Sequence, residues 1–255
     1  MKRCLNDENV ISYLSANNMF KLITMCHDLS ISESTGRRIL SRLENQGRIT
    51  RYHGGAILKR QTSDTLFDRR KQEMIGVKDS IARAASMHAK EGSCIILLGG
   101  TTVASMCPYL KDKKLTVITN SLIVLDEFRD CPDIKIMMLG GYYNHGEREL
   151  HGNITNTNLK IMHADAVFLS CVGFSPSLGY TTNDIDSIEF YRICLQNSKH
   201  SYMLCDHSKS NKTGIAAYAQ TNEIGYLITD PGISKSTITE LEHMGVNVFI
   251  ANNEI

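Results

Sequence analysis

Seven short apolar runs, separated by stretches with helical character, limit the fold of this chain more than any other feature. The runs are Ser93–Leu98, Leu115–Thr119, Ile134–Leu139, Ala166–Val172, Ser201–Cys205, Tyr226–Ile228 and Val246–Ile250. Near-continuous apolar runs of this length are typical of strands that are buried on both faces. Strands that alternate with helices in this way predict a mostly parallel sheet with helices on both sides. We therefore expect an α/β domain over residues 78–255.

The first sixty residues have a different pattern, which predicts short helices followed by a β hairpin. Ser30–Glu33 has the S-x-x-E form of a capping box, and Ser32 is an alternative N-cap for the third helix. This helix should run to about Gln46 and stop at Gly47. Short β-prone pieces then flank a Gly-Gly turn, as expected for a wing. Residues 61–77 are polar with mixed charges, and we interpret them as a linker or connecting helix.

The third predicted helix has one apolar face and one basic face. At about 100° per residue, Gly36, Ile39, Leu40 and Leu43 share one arc. The opposite arc contains no acidic residue and consists of Ser34, Arg37, Arg38, Ser41, Arg42 and Asn45. Arginine donates paired hydrogen bonds to guanine or to phosphate, which favours a nucleic-acid surface. A solvated basic helix is the alternative.

The net charge of the chain conceals an uneven distribution. The whole sequence has 28 Lys and Arg against 27 Asp and Glu. Residues 1–60 contain ten basic and five acidic residues, whereas residues 61–255 contain 18 and 22. A small basic domain on a larger acidic one is typical of a protein that meets a polyanion through one end. Chance remains the alternative for so modest an excess.

Small polar residues follow several predicted strands of the second domain. In an open parallel sheet, ligands bind beyond the carboxyl ends of the strands, so these residues should share one edge. Glycines admit an anion close to the backbone, and hydroxyl and amide groups bind hydroxyls. The pattern predicts a small, anionic, hydroxyl-bearing ligand, although each Gly-Gly pair alone could be a simple turn. The predicted ligand-binding residues are Gly100, Thr101, Thr102, Asn120, Ser121, Gly141, Asp206, Ser208 and Lys209.

An ordered series of motifs resembles the DeoR-type bacterial transcriptional regulators over nearly the whole chain. In the first domain the motifs are Thr35-x-Arg37-Arg38, Leu43-Glu44-x-x-Gly47 and Arg51-x-His53-Gly54-Gly55-Ala56. In the second they are Gly100-Thr101-Thr102, Thr119-Asn120-Ser121, Leu139-Gly140-Gly141, Asp206-x-Ser208-Lys209 and Ile228-Thr229-Asp230.

This resemblance implies an N-terminal winged helix-turn-helix over residues 1–60 that binds operator DNA. It also implies an effector domain over residues 78–255 that resembles ribose-5-phosphate isomerase and binds a phosphorylated sugar or sugar alcohol. Such regulators usually repress sugar-utilisation genes as dimers or tetramers. For the major groove we select Arg37 and Arg38 with Ser34 and Thr35. The other DNA-binding residues, for phosphates, the wing or the helix start, are Arg42, Arg51, His53 and Ser32.

Three positions depart from the family pattern. Ile39 stands where the family usually has Asp, and Gly36 replaces a larger apolar residue at a cost of roughly 1 kcal/mol in helix stability. Tyr191 replaces a Lys that lies between Glu189 and Arg192 in the later helix. These departures raise the question of whether operator geometry and effector identity differ here.

Other classes of protein fit the sequence less well. A sugar-phosphate isomerase-like enzyme is the main alternative, but it would not need a basic helix-turn-helix domain. An activator without a small effector is a further alternative. The eight cysteines form no C-x-x-C pair, and no spacing indicates a metal site or cofactor. Without a signal-like N-terminus or an apolar run of membrane length, we expect a cytoplasmic protein.

Overall fold

The chain divides into two compact units, Met1–Asp64 and Thr65–Ile255. The computed structural model describes residues 10, 13, 19–46, 48–52, 55–58 and 66–252. The domain boundaries expected from the sequence (residues 1–60, 61–77 and 78–255) stay predictions.

The described residues of the first unit include two helices and a small antiparallel sheet. Helix α1 is Leu22–Asp28 and helix α2 is Glu33–Asn45. Strands β1 (Met19–Lys21), β2 (Ile49–Tyr52) and β3 (Gly55–Leu58) pair in the order β1-β3-β2. The antiparallel pair β2–β3 is the wing that the sequence predicted.

Helix α2 begins at the alternative N-cap and buries the predicted face. The Ser32 hydroxyl accepts a hydrogen bond from the backbone N–H of Thr35, which satisfies one of the free donors of the first turn. The wheel assignment is confirmed, because the helix buries four residues against Leu22, Met25 and Cys26 of α1. These four residues are Gly36, Ile39, Leu40 and Leu43.

Gly36 lies at the closest approach of the two helices. A Cβ at this position would lie 2.5 Å from Cys26 Sγ and 3.1 Å from Leu22 Cδ1. Both contacts are tighter than van der Waals packing allows, so a side chain would push α1 away from α2. The intrinsic cost of glycine in the helix is therefore offset by closer helix packing.

The second unit is built on seven parallel strands. These are β4 (Cys94–Leu97), β5 (Leu115–Thr119), β6 (Ile134–Met138), β9 (Ala164–Leu169), β12 (Ser198–Leu204), β14 (Tyr226–Thr229) and β15 (Asn247–Ile250). Their order across the sheet is β15-β14-β12-β9-β4-β5-β6, and every pairing is parallel. All seven overlap the apolar runs, which confirms the predicted fold class.

Helices cover both faces of this sheet. They are α3 (Leu66–Gln72), α4 (Ile75–Ser86), α5 (Thr101–Ala104), α6 (Leu122–Phe128), α7 (Asn153–Lys160), α8 (Ile188–Gln196) and α9 (Lys235–His243). Side chains alternate between two apolar clusters, as expected for strands buried on both sides. In β9, for example, Val167 and Leu169 enter one cluster while Ala166 and Phe168 enter the other.

Two small antiparallel elements lie outside the main sheet and were not predicted. Strands β7 (Tyr142–Asn144) and β8 (Glu149–His151) form a hairpin. Strands β10 (Gly173–Ser175), β11 (Gly179–Thr182) and β13 (Ala216–Ala219) form a three-stranded sheet. Among the described residues, none of the helices has the length and apolar character needed to cross a bilayer.

The contact at Gly36 predicts an unusual response to alanine. By helix propensity alone, Gly36→Ala should stabilise α2 by about 1 kcal/mol. We expect it instead to destabilise the helix by about 1–3 kcal/mol through overpacking against Cys26. Hydrogen exchange of the α2 amides in the full chain, followed by mass spectrometry, measures this difference.

A Cys26→Ala background is the matched control, because it removes the sulfur that the new methyl group would meet. Gly36→Ala should cost clearly less there. Slower exchange in the single Gly36→Ala variant would contradict the packing explanation.

Candidate functional site

The face of α2 opposite the core is exposed and basic. Arg37, Arg38, Arg42 and Ser34 are exposed there, and Thr35 is half-buried at the helix start. Arg37 forms an ion pair with Glu33 one turn earlier, at 3.5 Å between Nη2 and Oε2. The sequence-predicted DNA-binding residues of this helix therefore share one accessible surface, as major-groove contact requires.

Arg51 connects the wing to the helix. Its Nη1 donates a hydrogen bond to Ser41 Oγ at 2.9 Å and lies 3.8 Å from Glu44 Oε2. The backbone N–H of Arg51 also donates to Glu44, at 3.4 Å. Arg51 is thus held beside the basic face of α2. Ser32 serves as the N-cap, and His53 lies outside the described residues.

The second unit contains a cavity of about 510 Å³ at the carboxyl ends of β4 and β9. We call it the strand-end cavity. Its wall includes residues that follow these strands, residues of α3 and α4, and residues of the β7–β8 hairpin. The polar groups in its wall include Arg70, Lys78, Gly100, Thr101, Thr102, Glu147, Glu149, His151, Asp184, Tyr191 and Lys209.

The two glycines after β4 have distinct roles. A Cβ at Gly99 would lie 1.6 Å from Glu149 Oε1, so the Glu149 carboxylate occupies the space of the missing side chain. Gly100 has a φ of 111°, a region that L side chains rarely adopt, and it precedes α5 without any side-chain cap. An anion was expected to approach the backbone at these glycines. At Gly99 that space is already occupied by the Glu149 carboxylate.

One end of the strand-end cavity gathers three cationic side chains. Lys78 is only 4% exposed, and its ammonium donates to the backbone carbonyl of Arg70. Burial lowers the pKa of Lys78, the charges of Lys209 and Arg70 lower it further, and Asp206 and Glu73 oppose the shift. The lowered pKa of Lys78 is therefore an effect of burial, because the largest charge effect is that of Asp206, which favours the ammonium form. A bound anion would further stabilise the charged ammonium in this poorly solvated position.

The other end of the cavity gathers carboxylates around a buried histidine. His151 Nε2 lies 3.2 Å from Glu149 Oε2, and Nδ1 lies 3.6 Å from Asp184 Oδ2. Burial lowers the pKa of His151, but Glu149, Asp184 and Glu147 together outweigh this effect, so the pKa is raised. Burial raises the pKa of Glu147, with its ion-pair partner Arg70 acting against the shift. This end presents acceptors for hydroxyl groups.

Tyr191, the departure from the family pattern, lies in the cavity wall. Its ring stacks on Tyr218 with 4.3 Å between centroids. Burial strongly raises the pKa of Tyr191, so the phenol stays neutral. A neutral aromatic side chain therefore stands where the family often has a cation. The two other residues of this motif make contacts of their own. Glu189 forms an ion pair with Lys160 at 2.9 Å, and Arg192 donates a hydrogen bond to the backbone carbonyl of Tyr218.

The structure brings some of the predicted ligand-binding residues together and separates others. Gly100, Thr101, Thr102 and Lys209 line the strand-end cavity. The Asn120 amide donates to Glu149 at 3.3 Å and so lies behind the wall. The other predicted residues outside the lining are Ser121, Gly141, Asp206 and Ser208. Asp206 is buried, and its carboxylate accepts from the backbone N–H of Ser208.

Sequence reasoning missed Lys78, although its position contained a usable signal. Lys78 shares its helix face with Ile81, Ala82 and Ala85, which all belong to the apolar core. A lysine on the buried face of a helix indicates either a paired charge or a functional site. The hairpin residues Glu147, Glu149 and His151 had no comparable signal, because nothing in the local pattern places that hairpin over β4.

Comparison with known proteins assigns both units. Residues 7–62 match the DeoR-like helix-turn-helix domain, and residues 73–231 match the DeoR C-terminal sensor domain. Together these define a transcriptional regulator with a DNA-binding domain followed by a sensor domain. The chain belongs to the DeoR family of helix-turn-helix transcriptional regulators. The prediction of a regulator rather than an enzyme is thereby confirmed.

Several curated relatives match over nearly their full length. The HTH-type transcriptional regulator GolR of Listeria innocua serovar 6a is 32% identical, covering 95% of this chain and 96% of the relative. The HTH-type transcriptional repressor GlcR of Bacillus subtilis is 31% identical, with 96% and 95% coverage. The lactose phosphotransferase system repressor of Lactococcus lactis subsp. lactis is 27% identical, with 91% and 93% coverage.

Among solved structures, ribose 5-phosphate isomerase from Plasmodium falciparum is similar at a TM-score of 0.40 and 16% identity. The similarity covers 56% of this chain and 55% of that one. At this level it supports no argument about function. The assignment of the second unit depends on its own parallel sheet and on the family match.

The environment of His151 predicts how it titrates. Its folded pKa should lie above the unfolded value of about 6.5, because nearby carboxylates outweigh burial. Charged His151 should therefore stabilise the fold below about pH 6.5, and this contribution should be lost as pH rises through the folded pKa. NMR titration of the His151 ring measures the shift.

Asp184→Asn should bring the His151 pKa down, since it removes one of the two flanking charges. A wild-type value below about 6.5 would mean that burial dominates, contrary to this account.

Proposed function

We propose that this regulator represses a sugar-utilisation operon and that a phosphorylated sugar in the strand-end cavity controls its operator affinity. Two of the relatives described above are named repressors, and one of these is named for the lactose phosphotransferase system. Repression rather than activation is proposed on these names. A regulator of this kind would act in the cytoplasm, where operator DNA and sugar phosphates are both present.

The DNA-binding step is assigned to α2 and the wing. Arg37 and Arg38, with Ser34 and Thr35 at the start of the helix, would reach base edges in the major groove. Arg42, Arg51 and His53 would contact phosphates beside it. Operators read by helix-turn-helix proteins usually have two half-sites, so we propose a homodimer or homotetramer as the DNA-binding form.

The cationic end of the strand-end cavity carries the effector proposal. Lys78, Lys209 and Arg70 lie at this end, where Arg70 is paired with Glu147 and burial lowers the pKa of Lys78. A phosphate dianion would offset this charge and accept hydrogen bonds from both ammonium groups. The Thr101 and Thr102 hydroxyls and the backbone at Gly100 would provide further donors.

The acidic end of the cavity would bind the sugar itself. Glu149, His151 and Asp184 offer hydrogen-bonding groups to hydroxyls, and the Tyr191 ring offers an apolar surface for a sugar face. Asn120 would act through Glu149, whose carboxylate it contacts. A volume of about 510 Å³ falls within the usual range for small-molecule sites and suffices for a hexose phosphate.

Removing two arginines from the basic face of α2 should strongly weaken specific DNA binding. Arg37→Ala/Arg38→Ala should weaken operator binding at least about 10-fold, since each bidentate contact contributes about 1–3 kcal/mol. Fluorescence anisotropy with DNA from the promoter of the regulated operon, at several salt concentrations, measures this loss.

Lys114→Ala/Lys135→Ala is the matched control, because both lysines are exposed in the second unit and the same two charges are lost. It should bind as the wild type does. Equal affinities for the two double variants would remove α2 from the DNA interface.

The cationic end predicts a charge-dependent effect of phosphorylated ligands. Sugar 6-phosphates and inorganic phosphate should raise the melting temperature of the wild type, because they bind the folded state alone. Lys209→Ala should reduce this shift markedly, whereas Lys212→Ala should not, since Lys212 is exposed outside the cavity lining. A thermal-shift titration compares the three proteins. Equal shifts in all of them would exclude Lys209 from the site.

A further inference from the structure

Two cysteine side chains touch at the edge of the strand-end cavity. Cys171 Sγ and Cys205 Sγ lie 3.1 Å apart, and both thiols are free. Cys171 lines the cavity and is half-buried, whereas Cys205 is buried. Neither thiol has a role in the proposed binding of DNA or of a phosphorylated sugar.

The sheet register explains why these two residues meet. Strands β9 and β12 are parallel neighbours, and their last paired residues are Leu169 and Met203. Cys171 and Cys205 lie two residues beyond this pair, just past the ends of the two strands. Both pack in the same apolar cluster as Leu169 and Met203, so their side chains lie on the same side of the sheet.

This arrangement suits a covalent bond between the two sulfurs. Neighbouring strands lie about 4.8 Å apart, within the Cα separation of about 4.4–6.8 Å that disulfides span. The sulfurs need to approach by only about 1 Å to reach bonding distance. The cavity provides a path for a small solute to Cys171.

We propose that Cys171 and Cys205 form a peroxide-sensitive modification site, in which a hydroperoxide converts the two thiols into a disulfide. The Cys171 sulfur attacks one peroxide oxygen, the O–O bond breaks, and the departing oxygen takes the thiol proton and leaves as an alcohol, or as water from hydrogen peroxide. The Cys205 sulfur then attacks the sulfenic sulfur, the S–O bond breaks, and water leaves with the Cys205 proton. Two thiols lose two electrons, and the peroxide gains them.

The surroundings of Cys171 set the pace of this reaction. Burial raises the pKa of the Cys171 thiol, and the contact with Cys205 raises it further. Because the thiolate is the nucleophile, oxidation should be slow at neutral pH and faster as pH rises. The disulfide would tie the ends of β9 and β12 together beside Lys209, in the wall of the strand-end cavity.

Peptide mapping of the full chain tests the proposal directly. Trypsin places Cys171 in the peptide 161–192, Cys205 in 200–209 and Cys194 in 193–199, so each of these thiols is identified separately. The folded protein is treated with hydrogen peroxide until the half-buried Cys131 has reacted, then alkylated and digested. We expect peptides 161–192 and 200–209 to be joined, at a mass two hydrogens below their sum, and to separate with dithiothreitol.

Three controls make the outcome decisive. Cys194→Ala should leave the linkage intact, because Cys194 is a buried cysteine outside the pair. Cys205→Ala should abolish it, and treatment in guanidinium chloride should lose or scramble it. The proposal is overturned if Cys171 proceeds to sulfinic acid unlinked, if it links to another cysteine, or if both thiols survive prolonged treatment at alkaline pH.

Discussion

The common direction of seven strands is the constraint on which the sensing part of this protein depends. Since β4, β9 and β12 run parallel and side by side, the segments that follow them meet at one edge. Gly99–Thr102, Ser170–Val172 and Lys209 belong to these segments, and all line the strand-end cavity. The chain brings them together from positions more than a hundred residues apart.

Charge is separated within the cavity that this edge creates. Lys78 and Lys209 stand at one end, and Glu149 and Asp184 surround His151 at the other. Arg70, close to the two lysines, is paired with Glu147 of the hairpin region. Such an arrangement is balanced by a ligand that is anionic at one end and rich in hydroxyls at the other, as a phosphorylated sugar is. Burial lowers the pKa of Lys78, whereas the carboxylates around His151 raise its pKa in spite of burial.

The sequence predicted those features that depend on local periodicity. The seven parallel strands and the buried face of α2 followed from apolar spacing alone. The β7–β8 hairpin could not be predicted in this way, because tertiary packing places it over Gly99. Glu149 and His151 were therefore missed. From the sequence, Gly36 was expected only to destabilise the helix. Its close contact with Cys26 of the neighbouring helix is visible only in the packed structure. Asn120, chosen for its place after β5, lies one layer behind the wall.

The most direct test of the central claim is the operator dissociation constant of the full chain, measured with and without a saturating phosphorylated sugar that raises its melting temperature. We expect this ligand to weaken operator binding several-fold or more, and the same sugar without phosphate to have no effect. An operator affinity that is unchanged at saturation would contradict the proposed coupling of the strand-end cavity to DNA binding.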